Sequence, residues 1–228
     1  MNIVCHVADP WTFWDKEKCP PSAYTAGWAY VDGTFVDKET LHSEVDRMLK
    51  KHPKLNITFA HFYYLPHELE RLADFLDRNP SVSIDICPGT PNFYDFQADI
   101  NKTRDFFIKY QDRIIFGTDN GVNEHAAGDE VAIRANKQYV DLFRFLELSE
   151  VYTPARWSEP LCGIGLDGDA LKKIYLFNYK RLQGGERKIN IGKAVEFCEK
   201  RLSIIKNNTP DNIYINQINE VIAFLKAL

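Results

Sequence analysis

The strongest constraint on the fold is an alternation of short β-rich runs with one-sided apolar stripes. The β-rich runs cover residues 2–7, 56–62, 81–87 and 113–119, and each is bounded by Pro, Gly, Asn or Asp. Between them, apolar residues recur at i, i+3, i+4 and i+7, the spacing of a helix that covers a surface on one side. Strands that alternate with helices predict a parallel sheet with right-handed crossovers. A doubly wound sheet and a (β/α) barrel both satisfy this prediction.

The pattern changes in the second half of the chain. Residues 151–168 are rich in Pro and Gly and read as irregular, residues 169–182 read as a helix, and Gly184-Gly185 reads as a break. Two further amphipathic helices are predicted at about 191–207 and 212–228. We therefore predict an α/β region over residues 1–182 and a helical extension over residues 183–228. The extension is expected to pack on the outside of the α/β region or to form an oligomer contact.

Charge and cysteine content exclude several classes of protein. The 228 residues carry a net charge of −4, which is unlike the basic footprint of a nucleic-acid binder. No apolar run approaches the roughly 18 residues of a membrane span. The five cysteines are an odd number and include no C-x-x-C pair, so a disulfide framework or a zinc knuckle is not expected. We expect a cytoplasmic protein with a small-molecule substrate and with neither nucleic acid nor membrane as a partner.

Polar side chains stand near the end of each predicted strand. His6 ends the first run, His61 the second and Asp119 the fourth, while Asp85 is late in the third. In parallel α/β folds, ligands bind at the carboxyl ends of the strands. Histidine and aspartate are metal ligands and general bases, and their recurrence on successive strands favours a common site over separate structural roles. By the period of two, Asp85 faces away from the aliphatic side of its strand and is a candidate substrate-binding residue.

Aromatic residues follow His6 closely along the chain. Trp11 and Trp14 are candidates for the aromatic wall of a substrate pocket, and ordinary loop packing is the alternative. Arg156 could bind a substrate carboxylate or form a surface ion pair.

The same residues carry a resemblance to a known family. The chain resembles the amidohydrolase-related branch of the metal-dependent hydrolases, which includes aminocarboxymuconate semialdehyde decarboxylase. The resemblance covers roughly residues 2–182 and rests on the pieces Val4-Cys5-His6-Val7-Ala8-Asp9-Pro10, Phe59-Ala60-His61, Val82-Ser83-Ile84-Asp85 and Ile114-Ile115-Phe116-Gly117-Thr118-Asp119. Asn178-Tyr179-Lys180-Arg181-Leu182 is similar to the last helix of the family, although Tyr179 stands where alanine is usual.

The resemblance implies a TIM-type (β/α) barrel with a divalent metal, usually zinc, at the strand ends. It implies that His6 and Asp119 are metal ligands, that Asp119 is also the general base, and that His61 polarises the water or the substrate. A metal lowers the pKa of bound water toward about 7, and a neighbouring carboxylate accepts its proton.

One departure from the family is large. The family has His-x-His on its first strand, and no such pair occurs among His6, His42, His52, His61, His67 and His125. The chain therefore corresponds to about four βα units, a partial barrel, followed by C-terminal helices. A shortened reading frame, a half-barrel that pairs with itself or with a partner supplying the missing strands, and a divergent small α/β sheet all explain this.

Two functions follow as hypotheses. The first is a metal-dependent hydrolase or decarboxylase that acts on a small carbonyl or carboxylate substrate with a metal-activated water. The second is a non-catalytic homologue that serves as a structural or interaction module, in which His6, His61 and Asp119 remain without a working metal site.

Overall fold

The computed structural model describes residues 2–87, 92–121, 129–156, 158–184, 190–208 and 214–228. The chain divides into two compact units, residues 1–184 and 185–228. Among the helices in these ranges, none combines the length and the apolarity that a membrane span requires.

The first unit is a mixed α/β structure around a four-stranded parallel sheet. The strands are β1 (Ile3–Cys5), β2 (Ile57–Phe59), β3 (Val82–Asp85) and β4 (Ile114–Ile115), and their order in the sheet is their order in the chain. Ile3 is in register with Ile57, and Ile57 is in register with Val82. The predicted parallel sheet with helices between its strands is therefore confirmed. The strands are shorter than the β-rich runs, because loops and turns begin before each run ends.

The helices of the first unit connect the strands and flank the sheet. They are α1 (Pro21–Ala26), α2 (Lys38–Lys51), α3 (Leu69–Arg78), α4 (Asn92–Asp95), α5 (Ile100–Lys109), α6 (Asp129–Glu147), α7 (Gly168–Lys172) and α8 (Asn178–Gln183). Asp37 caps α2 by accepting a hydrogen bond from the Thr40 N–H, and α3 ends where Asn79 precedes Pro80. Short 3₁₀ turns cover Trp11–Trp14, Pro66–Glu68 and Phe96–Asp99, and a turn of different backbone geometry covers His61–Tyr64.

Residues 151–168 contain one regular feature that the sequence did not predict. β5 (Val151–Tyr152) and β6 (Leu161–Cys162) form an antiparallel pair apart from the main sheet. Such two-residue strands leave too few alternating positions for a periodicity argument to detect.

The far edge of β4 is closed by the segment that joins α7 to α8. This segment, Lys173–Phe177, is a π-helical turn, and the Ile174 carbonyl accepts a hydrogen bond from the Phe116 N–H at 3.0 Å. The buried Asn178 side chain donates to the Gln111 and Ile114 carbonyls, both at 2.7 Å. The edge groups of β4 are thus paired without another strand.

The hydrophobic core lies where the sheet meets α3, α5 and α6. Its centre is a set of fully or nearly fully buried aromatic rings, which are Phe59, Phe62, Tyr63, Phe75, Phe96, Phe107 and Phe145. Phe62 stacks on Phe107 with ring centroids 5.2 Å apart and meets the edge of Phe96 at 4.9 Å. Phe62 and Tyr63 follow β2 closely, so this core holds the segment at the carboxyl end of that strand.

The second unit is a pair of helices, α9 (Ile191–Asn208) and α10 (Tyr214–Ala227). Lys226 of α10 pairs with Glu199 of α9 at 2.7 Å. Large apolar side chains of both helices are exposed, including Phe197 at 59% and Phe224 at 64%.

Candidate functional site

The carboxyl ends of the strands surround a cavity of about 770 Å³. Three of the predicted site residues line it together, namely His6 after β1, His61 after β2 and Asp119 after β4. Asp9 and Tyr64 also line the cavity. Residues that are far apart in the sequence converge here because parallel strands direct their carboxyl ends to the same edge of the sheet.

Of the two histidines that line the cavity, His6 is more exposed than His61. Its imidazole Nε2 lies 3.8 Å from Asp9 Oδ1, and its side chain is 50% exposed. The other Asp9 oxygen accepts a hydrogen bond from the Tyr30 hydroxyl at 2.7 Å, which orients the carboxylate toward His6. This carboxylate orients the imidazole, and the place of His6 on the cavity lining supports it as a proton acceptor.

His61 begins a turn whose backbone is left-handed over four residues. The φ angles of His61, Phe62, Tyr63 and Tyr64 are 55°, 56°, 55° and 48°. The predicted strand over 56–62 is therefore wrong beyond Phe59, and none of these four residues is a glycine or an asparagine that would signal such a turn. Left-handed conformations cost L-residues roughly 1–2 kcal/mol each, so the turn costs about 4–8 kcal/mol.

Burial of the two middle residues offsets most of that cost. Phe62 is 1% and Tyr63 is 2% exposed, and Tyr63 stacks on Phe75 with centroids 4.6 Å apart. Burying two large aromatic side chains contributes about 3–6 kcal/mol. The two end residues, His61 and Tyr64, line the cavity instead, with their ring centroids 5.1 Å apart. The His6 ring lies 5.0 Å from the His61 ring and 5.6 Å from the Tyr64 ring.

Asp119 follows β4 and also has a left-handed backbone, with φ of 52°. Gln138 of α6 is buried and donates a hydrogen bond to the Thr118 carbonyl, which holds the segment before Asp119. Among the described residues, the non-glycine residues with positive φ are Ala8, the four residues of the turn His61–Tyr64, and Asp119. All of them follow β1, β2 or β4 at the cavity end of the sheet, and strained backbone concentrates at functional sites.

Asp85 is placed beneath the cavity rather than on its lining. Its carboxylate is 6% exposed and accepts hydrogen bonds from the backbone N–H of His61 at 2.8 Å and of Cys87 at 3.1 Å. Burial raises the pKa of the Asp85 carboxyl, and the two N–H donors oppose this rise. The geometry gives Asp85 contact with the backbone of His61, whereas the sequence suggested contact with a substrate.

Tyr64 is a cavity residue that the sequence did not single out. Burial raises the pKa of its phenol, and the negative charges of Asp9, Asp119 and Asp85 raise it further. The hydroxyl therefore stays protonated and available as a hydrogen-bond donor near neutral pH. Its place beside His61 depends on the left-handed turn, for which the sequence carries no signal.

Trp11 and Trp14 lie near the cavity but do not line it. The Trp11 ring lies 5.6 Å from the His67 ring and 4.5 Å from Lys18 Nζ. Trp14 Nε1 donates to the Val36 carbonyl at 3.1 Å, and its ring packs 4.5 Å from Tyr30.

The apolar and cationic parts of the lining come from other residues. Phe13 and Trp28 contribute aromatic surface, and the basic side chains on the lining are Lys18 and Arg156.

The described donor groups do not complete a metal site of the kind that the resemblance implies. Catalytic zinc sites use three protein ligands. Across residues 2–87, 92–121, 129–156, 158–184, 190–208 and 214–228, no three histidine, cysteine, aspartate or glutamate side chains are grouped so that they could hold a metal ion. His125, which follows Asp119 in the sequence, lies outside the described residues.

Comparison with protein-family models, with curated proteins and with solved structures finds no match to this chain.

Proposed function

We propose that the cavity is the active site of a hydrolase that acts on a small carbonyl or carboxylate substrate. The observation that carries the proposal is the convergence of His6, His61 and Asp119 from three strand ends on one cavity of about 770 Å³. A volume of this size suits a small molecule. Two imidazoles and a carboxylate around a common space are the groups that general acid–base catalysis uses.

The residues divide into two roles. His6, oriented by Asp9, and Asp119 are placed to accept a proton from a water molecule as it attacks the substrate carbonyl. The protonated Tyr64 hydroxyl and the His61 imidazole are placed to donate hydrogen bonds to the oxygen that becomes negative. Lys18 and Arg156 supply positive charge on the lining, which favours a substrate that carries a carboxylate.

The proposal also covers the fold type, the metal and the cellular location. We place the four βα units in a partial (β/α) barrel of the amidohydrolase-related type, because of the motif pieces and the parallel strand order. Zinc dependence remains a prediction of the resemblance alone. A cytoplasmic location is supported by five cysteines that are all unpaired, as is usual in a reducing compartment.

The proposal is tested by turnover of a substrate panel. The purified chain is incubated with small esters, lactones, amides and carboxylates, with and without added zinc chloride, and products and released carbon dioxide are measured. We expect hydrolysis, and we expect His61→Asn and Asp119→Asn to lower kcat/KM on the order of a hundredfold. Asparagine tolerates the left-handed backbone at position 119, so the second variant removes charge without adding strain.

His52→Asn is the matched control, because His52 is exposed at the end of α2 and does not line the cavity. Equal activity in the cavity variants and the control would refute the assignment. Carbon dioxide release without hydrolysis would show that the activity is decarboxylation and would refute the hydrolase assignment.

An interaction module is a second candidate because of one observation on β1. This strand pairs with β2 on one side, and its apolar residues Ile3 and Val4 are 39% and 67% exposed. Exposed strand edges of this kind pair with other strands. A second copy or a partner that adds strands would cover β1. Light scattering on the wild-type chain and on Val4→Lys tests this, since a charged edge residue blocks strand pairing.

A further inference from the structure

Burial of Phe62 and Tyr63 stabilises the middle of the left-handed turn at His61–Tyr64. The two ends of the turn need other contacts to stabilise them. Those ends carry the imidazole and the phenol that line the cavity. If the ends relaxed toward ordinary right-handed or extended backbone, both side chains would leave their present positions even with Phe62 still buried.

Three buried polar side chains from three different elements contact the backbone at these ends. Asp85 of β3 accepts a hydrogen bond from the His61 N–H at 2.8 Å. Asn92 of α4 donates through Nδ2 to the His61 carbonyl at 2.7 Å. Lys38 of α2 donates through Nζ to the Tyr64 carbonyl at 2.8 Å. We call these three residues the turn clamp.

Each member of the turn clamp is of a type that is rarely so deeply buried without a specific partner. Asp85, Asn92 and Lys38 are 6%, 2% and 8% exposed. Burial lowers the pKa of the Lys38 ammonium to about 8, which reflects the cost of removing a charged amine from water. A side chain that only filled space at these positions would be apolar, so the hydrogen bonds to the turn account for the polar residues.

We infer that Lys38, Asp85 and Asn92 are positioning residues that fix the His61 imidazole and the Tyr64 hydroxyl in the cavity by clamping the left-handed turn. The inference rests on the proposed function only for what His61 and Tyr64 do there. The sequence alone offers no route to it, because Lys38 and Asn92 meet the turn only through the tertiary fold.

The test measures how accessible His61 is, without any substrate. Histidines of the folded chain are labelled with diethyl pyrocarbonate, and the labelling rate of each peptide is followed by mass spectrometry. Asn92→Ala removes one donor from the turn, and we expect the His61 rate to rise about tenfold as the turn opens locally. The rate at the exposed His52 serves as the internal reference and is expected to stay constant.

Asn79→Ala is the matched control. Asn79 also donates from Nδ2 to a backbone carbonyl, that of Phe75 at 2.8 Å, but at the end of α3 and away from the cavity lining. A residue with a merely structural role would destabilise the fold without a selective effect at His61. We therefore expect less than about a twofold change of the His61 rate in this control.

Lys38→Met provides a second route if Asn92→Ala does not fold, with Lys50→Met on the exposed side of α2 as its control. We expect His61 labelling to rise in the first and not in the second. An unchanged His61 rate in both clamp variants, or an equal rise in the controls, would overturn the inference. Because labelling needs no turnover, this result is separate from the outcome of the substrate panel.

Discussion

Acidification should destabilise the first unit through two histidines that lie beside the turn clamp. Burial, reinforced by the charges of Lys38 and Arg71, lowers the pKa of His42 to about 4. Burial and Lys38 likewise lower the pKa of His67 to about 4. A histidine with a lowered folded-state pKa contributes stability above its unfolded pKa of about 6.5, and this stability is lost as the pH falls through the folded value.

The contribution of the two histidines follows from these values, and the neighbouring Asp95 carboxyl opposes it. Between about pH 7.5 and pH 4.5, each histidine removes about 2.5 kcal/mol of the free energy of unfolding. Burial raises the pKa of Asp95 to about 6, so the Asp95 carboxyl returns about 2 kcal/mol over the same interval. His67 lies near Asp95, with Nδ1 3.9 Å from Oδ2, and the three groups together leave a net loss of about 3 kcal/mol.

His42→Phe is the perturbation that isolates one histidine. His42 stacks on Tyr63 with centroids 4.7 Å apart, its Nδ1 lies 3.2 Å from Arg71 Nη2, and its Nε2 is buried without a hydrogen-bond partner. Phenylalanine keeps the stacking and removes the titrating group, while Arg71 keeps its ion pairs with Glu39 and Glu68.

Urea unfolding followed by tryptophan fluorescence measures the effect, because all four tryptophans belong to residues 1–184. We expect His42→Phe to lose about 2.5 kcal/mol less than the wild type on acidification. His52→Phe, at an exposed position, is the control. If His42→Phe lost as much stability as the wild type, the argument from burial of His42 would be refuted.

Two further changes test the backbone at the cavity. Ala8→Gly should stabilise the first unit by up to about 1 kcal/mol in urea unfolding. Ala8 has φ of 62°, and the relief of this strain exceeds the entropy that glycine adds to the unfolded chain. A loss of stability would contradict this expectation. Gly117→Ala should cost about 1–3 kcal/mol, since its new Cβ would lie 2.4 Å from Cys87 Sγ. Cys87→Ala should remove most of that penalty in a double-mutant cycle, and additive effects would show that the two positions do not clash.

Much of the architecture could be predicted from periodicity. The four β-rich runs and the stripes between them predicted the parallel sheet, and residues such as Asp37 and Asn79 marked helix ends because capping and pre-proline geometry depend on local chemistry. The convergence of His6, His61 and Asp119 on one cavity also agrees with the expectation that strand ends lie together.

The details of the site could not be predicted in the same way. His-Phe-Tyr-Tyr reads as the end of a strand, since aromatic residues favour strands and neither phenylalanine nor tyrosine favours a left-handed backbone. The roles of Trp11 and Trp14 were equally open, because proximity along the chain to His6 does not determine which side of a loop faces a cavity.

The sequence by itself determined the order of elements, the parallel sheet and the polar residues at its strand ends, because these depend on spacing between neighbours. Only the tertiary structure decided which side chains face one another across that edge. Phe62 and Tyr63 are buried in a core that includes residues of α3, α5 and α6. Lys38, Asp85 and Asn92 make hydrogen bonds to the two ends of the strained turn. Such strain persists only when contacts from distant parts of the chain outweigh local preference.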